Sequence, residues 1–245
     1  MRMRLLAGRR MALTKNSSAR NVTCAYFPWI SLLVIGALMA GCAGPVNRVE
    51  TFEAQMIKFD STETGQLPPD FSTALTGGGG PISWVVRDDS TAPDSKKVLV
   101  QESSDDTSYR FPLCVYEKAL ARDVAVEVNF KPISGKVDQA GGIVLRYRPG
   151  NYYIARANAL ENNVILFKTV NGKRSKIVEV PVQVTAGQWH TLRFEAKGHH
   201  LKVMFDGRIV IERYNTTFSN PGKVGMWTKA DSVSAFANFK IERVQ

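Results

Sequence analysis

Leu201-Lys202-Val203-Met204-Phe205-Asp206-Gly207-Arg208-Ile209-Val210-Ile211-Glu212 reads as two strands around a tight turn, and the fold follows from that pattern. Leu201, Val203 and Phe205 alternate with less apolar neighbours, which is the period of a strand. A second apolar-rich run follows Asp206-Gly207. That dipeptide suits a type I′ turn, which needs φ > 0 at both central residues, so the stretch predicts a β-hairpin. Asn171-Gly172 repeats the signal after Val164–Val170. His190–Ala196 alternates in the same way, with Leu192 and Phe194 inward and Arg193 and Glu195 outward. In Val124–Phe130 the even positions are apolar; in Ile143–Arg148 the odd ones are. Tyr152–Ala159, Val224–Thr228 and Ala235–Ile241 add further strands. Turn residues recur about every 8–12 residues, as in a sandwich. Only residues 116–122 suggest one helical turn. The fold class expected is all-β: a two-sheet antiparallel sandwich of jelly-roll type.

Residues 1–27 carry six basic side chains (Arg2, Arg4, Arg9, Arg10, Lys15, Arg20), and the first acid is Glu50. The apolar run Trp29–Ala40 ends in Leu38-Met39-Ala40-Gly41-Cys42. A basic segment, a short apolar run and small residues are the layout of a secretory signal. The run is shorter than the roughly 20 residues of a transmembrane helix. Met39-Ala40-Gly41-Cys42 resembles the lipobox of bacterial lipoproteins, with Met39 where leucine is usual. The resemblance implies a signal peptide over 1–41, lipidation of Cys42 with a tether over 42–52, and one domain over 53–245. The lipid bilayer becomes a partner through Cys42, and the protein is exported and held at the cell envelope. Ala43 resembles the outer-membrane sorting position of some Gram-negative lipoproteins. The alternative is a signal anchor with an incidental cysteine. A start at Met11 leaves this reading unchanged.

The chain holds 32 Lys+Arg against 22 Asp+Glu, a net of +10. Removing 1–41 takes six bases and no acid, which leaves a net of +4. The basic balance is largely a property of the signal. No basic stripe remains for nucleic acid. With Cys42 lipidated, Cys114 has no partner for a disulfide, so the core alone must stabilise the domain. Cys114 lies in Phe111-Pro112-Leu113-Cys114-Val115-Tyr116 and reads as a small buried hydrophobe. Gly77–Gly80 lacks a following Gly-Lys-Ser/Thr and reads as a flexible surface loop, not a phosphate cradle.

The second half of the chain carries a family likeness. Gly141-Gly142-Ile143-Val144-Leu145-Arg146-Tyr147, Asn151–Asn158, Gly187-Gln188-Trp189-His190-Thr191-Leu192, Phe205-Asp206-Gly207 and Val224–Asp231 follow in order. Together they resemble the laminin G and concanavalin A-like superfamily. More narrowly they resemble bacterial family 16-like glycoside hydrolase, or 3-keto-disaccharide hydrolase, domains. The likeness spans roughly residues 55–243 and implies fold more strongly than function.

Family 16 glucanases carry Glu-x-Asp-x-x-Glu on one strand, so that alternation aims the acids at one groove. This chain has no such pattern. Glu127 and Glu195 are mid-strand acids on polar faces, and Asp231 is a third carboxylate to consider. His190, His199 and His200 make no zinc set. Members of the superfamily bind calcium, but no acidic loop here supplies its ligands. No cofactor or metal is expected.

Alternation places Arg146 and Arg148 opposite the core face of Ile143, Leu145 and Tyr147. Tyr152, Arg156 and Asn158 share a face, as do Gly225, Trp227 and Lys229. If these strands are neighbours, Arg146, Tyr152, Arg156, Asn158, Trp227 and Lys229 form an aromatic and guanidinium surface with Asp231 at its rim. Such surfaces bind sugars by ring stacking and planar hydrogen bonding, and arginine forks suit carboxylated sugars. The structural alternative is packing: Trp227 half-buried, with Arg146 and Arg156 covering it or pairing with Glu127 and Glu195. Trp189 is assigned to the core. Three functions stay open: a non-catalytic glycan-binding lipoprotein, a glycan hydrolase or lyase, and a structural envelope module.

Overall fold

The computed structural model describes residues 52–244. The expected signal, the lipidation site Cys42 and nearly all of the tether lie outside the described residues. Fifteen strands follow one another: β1 (Gln55–Ile57), β2 (Phe71–Gly77), β3 (Trp84–Asp88), β4 (Lys97–Gln101), β5 (Arg110–Ala121), β6 (Val124–Ser134), β7 (Ala140–Arg148), β8 (Asn151–Asn158), β9 (Asn163–Val170), β10 (Lys173–Pro181), β11 (His190–Lys197), β12 (His200–Phe205), β13 (Arg208–Tyr214), β14 (Gly222–Trp227) and β15 (Val233–Glu242). No helix occurs among the described residues, and β5 runs straight through the suggested turn at 116–122.

The strands form two antiparallel sheets. One has the order β13-β12-β11-β6-β15-β4-β3, with β1 added on β15; the other has the order β10-β9-β8-β7-β14-β5-β2. The hairpin at Asp206-Gly207 has φ 46° and 77°, and the one at Asn171-Gly172 has φ 49° and 78°. Both therefore take the positive-φ turn their sequences predict. Between the sheets, alternate residues interlock: Val126, Val128 and Phe130 of β6 and Leu192 and Phe194 of β11 meet Ile143, Leu145, Tyr153 and Met226. Cys114 is a fully buried free thiol in this core.

Trp189 is not in that core. It packs on the outer face of the eight-stranded sheet beside Val98 and Ala235, under the Lys131 ammonium, and its indole donates to Thr91. Its neighbour His190 is the inward residue, stacked on Phe205 and 2.8 Å from Asp206. The glycine loop is tied down: Gly80 N–H donates to Asp105 at 2.6 Å, and Arg110 reaches the Pro81 carbonyl at 2.8 Å.

Candidate functional site

The outer face of the seven-stranded sheet is itself apolar. Phe111, Leu113 and Val115 of β5, Val144 of β7, Tyr152 and Ile154 of β8, Phe167 of β9 and Trp227 of β14 form a second buried cluster. The sheet curls over this cluster. At about 4.8 Å per strand, β10 and β5 would lie about 24 Å apart in a flat sheet. Yet the Arg174 guanidinium of β10 sits 4.4 Å from the Phe111 ring centroid of β5. Twist brings one pair of diagonal corners together above the face. The Tyr109 hydroxyl completes this closure. It accepts the Arg174 backbone N–H at 2.7 Å and donates to the Gly172 carbonyl at 3.0 Å.

At the other end of β8 the face turns polar. Arg156 donates to Glu161 and Asn163, both at 2.8 Å, and lies 3.7 Å from Asp138. Asn158 donates to Asp138 at 2.8 Å, and Lys229 forms an ion pair with the same carboxylate. Asp138 comes from the loop between β6 and β7. Asp231 holds that loop by accepting the backbone N–H groups of Lys136, Val137 and Asp138. Burial raises the Asp138 pKa despite the hydrogen bond from Lys229 and the charge of Arg156. For Glu161 burial also opposes ionisation, but the Arg156 hydrogen bond and charge outweigh it and the pKa falls.

Four polar groups on this face are buried with no partner among the described residues: the donors Trp227 Nε1, Arg156 Nε and an Arg174 terminal nitrogen, and the Thr169 hydroxyl opposite Arg174. A buried donor left unsatisfied costs about 1–3 kcal/mol, so such groups are expected to meet a ligand or ordered water. Trp227 is fully buried, stacked on Phe111 at 5.5 Å and 22°. Its ring and its Nε1–H are both buried, so it presents no exposed stacking surface.

Of the residues expected from the sequence, Tyr152, Arg156, Asn158 and Trp227 share the face, with Lys229 and Asp231 at its polar end. Arg146 does not join them. It takes φ 53° in a β-bulge between Leu145 and Arg148, which inverts the alternation. Its guanidinium donates to the carbonyls of Arg122, Phe218 and Gly198 and ties the loops beside β7. Tyr147, expected toward the core, faces outward against Tyr152 instead. Arg193, not Arg146 or Arg156, pairs with Glu127 and Glu195, on the opposite sheet. Sequence reasoning missed Arg174 and Asp138. The Asn171-Gly172 turn sets Arg174 opposite Thr169, two residues from Phe167, so the register carried that signal; Asp138 had none.

A curled, two-sheet antiparallel sandwich with these strand orders is a jelly roll of the concanavalin A-like class. The chain belongs to the family described as the galactocerebrosidase C-terminal lectin domain, whose model matches residues 120–244. That span holds Asp138, Arg156, Arg174, Trp227 and Lys229. Carbohydrate-binding module CBM66 from Bacillus subtilis superposes with TM-score 0.54 at 24% identity, over 74% of this chain and 97% of that one. The β-glucanase of Bacillus licheniformis superposes with TM-score 0.53 at 17% identity, over 80% and 100%. At these identities the two structures establish the shared fold. Levanase of Bacillus subtilis is 28% identical over 128 residues, 51% of this chain, which spans only 18% of levanase.

Proposed function

We propose that this domain is a glycan-binding, non-catalytic module, lipid-anchored through Cys42 at the cell envelope. The observation that carries the binding reading is the convergence of Trp227 Nε1, Arg156 Nε and one Arg174 terminal nitrogen on one curled face, buried and without partners among the described residues. Sugar hydroxyls and ring oxygens supply the acceptors such donors lack. The lectin-domain family and the likeness to a carbohydrate-binding module support it. The lipid anchor rests on Met39-Ala40-Gly41-Cys42.

The carboxylates of the face favour binding over catalysis. Asp138 is occupied by Lys229 and Asn158, and Glu161 by Arg156 and Asn163. One observation favours a hydrolase or lyase: Asp138 and Glu161 both meet Arg156, and their pKa values move in opposite directions, as an acid–base pair requires. A glycan array probed with the full chain and read for both retention and product release separates the two. Retention without release is the expected result. Release of reducing or 3-keto sugars makes the domain an enzyme, and silence on both readouts refutes glycan binding. Labelling with radioactive palmitate that is lost in Cys42→Ser tests the anchor.

A further inference from the structure

The cations of the curled face are not equally compensated. Lys229 has Asp138, Arg156 has Glu161, and Lys176 has Glu179 at 2.6 Å. Arg174 has no carboxylate within ion-pairing distance among the described residues. Its guanidinium lies between the rings of Phe167 at 4.3 Å and Phe111 at 4.4 Å, with Trp227 at 5.6 Å. One of its terminal nitrogens is buried with no acceptor among the described residues. Asp138, the carboxylate whose charge acts on it, is already bound by Lys229. Stacked rings offer a cation some attraction, but they supply no hydrogen-bond acceptor in its plane. A partly buried guanidinium left this way is held at a cost to the empty fold.

Donors dominate the unsatisfied atoms around it, the Thr169 hydroxyl opposite Arg174 being the one group among them that can also accept. Arg174, Arg156 Nε and Trp227 Nε1 are all donors, and none of these three groups can accept. A neutral sugar hydroxyl can use one such donor, but it brings a proton of its own that needs an acceptor. An oxyanion brings acceptors only, and a guanidinium fork matches it in shape.

We propose that Arg174 is the anion-recognising residue of this face, and that the glycan it takes carries an oxyanion group, a carboxylate or a sulfate or phosphate ester. The proposal rests on the glycan-binding reading above and narrows it to acidic sugars. Burial first, then the like charge of Arg156, lowers the Arg174 pKa, and an arriving anion relieves both effects.

The test is a titration of the full chain with matched probes, methyl glucuronide, glucose 6-sulfate and methyl glucoside, followed by calorimetry and by the Trp227 indole N–H signal in NMR. The expected result is tighter binding of an acidic probe than of methyl glucoside by about tenfold or more, falling with salt. The glucuronide and sulfate arms tell the two oxyanion sources apart. Arg174→Gln is expected to erase the preference, and Arg174→Met to erase it while leaving the melting temperature of the empty protein unchanged or higher, which a purely structural arginine would not do. Equal affinity for acidic and neutral probes overturns the proposal while the glycan-binding reading stands. So does a preference that survives Arg174→Gln. If no probe binds and the array is also silent, both fall together; if the array retains only neutral glycans, this proposal alone fails.

Discussion

Tyr152 Oη donates to Thr76 Oγ1 at 2.9 Å although β8 and β2 are separated by three strands of the same sheet. In a flat sheet those strands would lie about 19 Å apart. The bond is therefore a measure of the curl that turns an outer face into an enclosed one.

Because both hydroxyls are buried, Tyr152→Phe leaves Thr76 without its partner and is expected to cost about 1–3 kcal/mol. The double variant Tyr152→Phe/Thr76→Val should cost less than the sum of the single changes. Urea denaturation in a double-mutant cycle measures the coupling. Additive costs would mean that the bond does not close the face.

Arg146→Met is expected to destabilise the domain by about 3 kcal/mol or more, since three carbonyls lose a charged donor. Arg146→Lys should not restore it, because an ammonium cannot reproduce the planar fork. Glycan retention by the folded fraction should stay at the wild-type level, in contrast to changes at Arg156.

The Asp105 carboxyl is held at about 2 by its hydrogen bonds to the Thr107 side chain and to the backbone N–H groups of Thr107 and Gly80. Its folded pKa lies below the ordinary 3.8, so the stability it contributes is present above 3.8 and is lost as the pH falls toward 2. Melting temperatures of wild type and Asp105→Asn should differ at neutral pH and converge across that window.

Cys114 is fully buried, and desolvation raises its thiol pKa well above the usual value. It should resist maleimide in the native protein and react once urea unfolds the domain. Labelling at a native rate equal to that of the unfolded chain would contradict its place in the core.

The sandwich was legible because its signals are local. Asp206-Gly207 and Asn171-Gly172 fix two hairpins, and alternation assigns the inner residues of β6, β11 and β12. The face was legible where alternation ran unbroken, as for Tyr152, Arg156, Asn158 and Trp227. It failed at Arg146, where one residue with positive φ inverts the pattern, and no feature of Leu145-Arg146-Tyr147 announces a bulge. It failed at Trp189, because an aromatic on the outer face of a sheet can be covered by a lysine and still read as core. The depth of Trp227 was also invisible: the Arg174 guanidinium, 5.6 Å from its ring, comes from the far edge of the sheet. That depth bears on mutagenesis. Trp227→Ala would leave a cavity costing about 3–5 kcal/mol, so Trp227→Phe, which removes the donor and keeps a ring, is the informative change.

Glycan binding on the curled face is reported directly by the Trp227 indole N–H. A glycan retained on the array should shift that NMR signal in a saturable way, and Trp227→Phe should weaken retention by about tenfold, the worth of one hydrogen bond. An unmoved indole signal during saturable binding, with full retention by a folded Trp227→Phe, would place the ligand elsewhere on the domain.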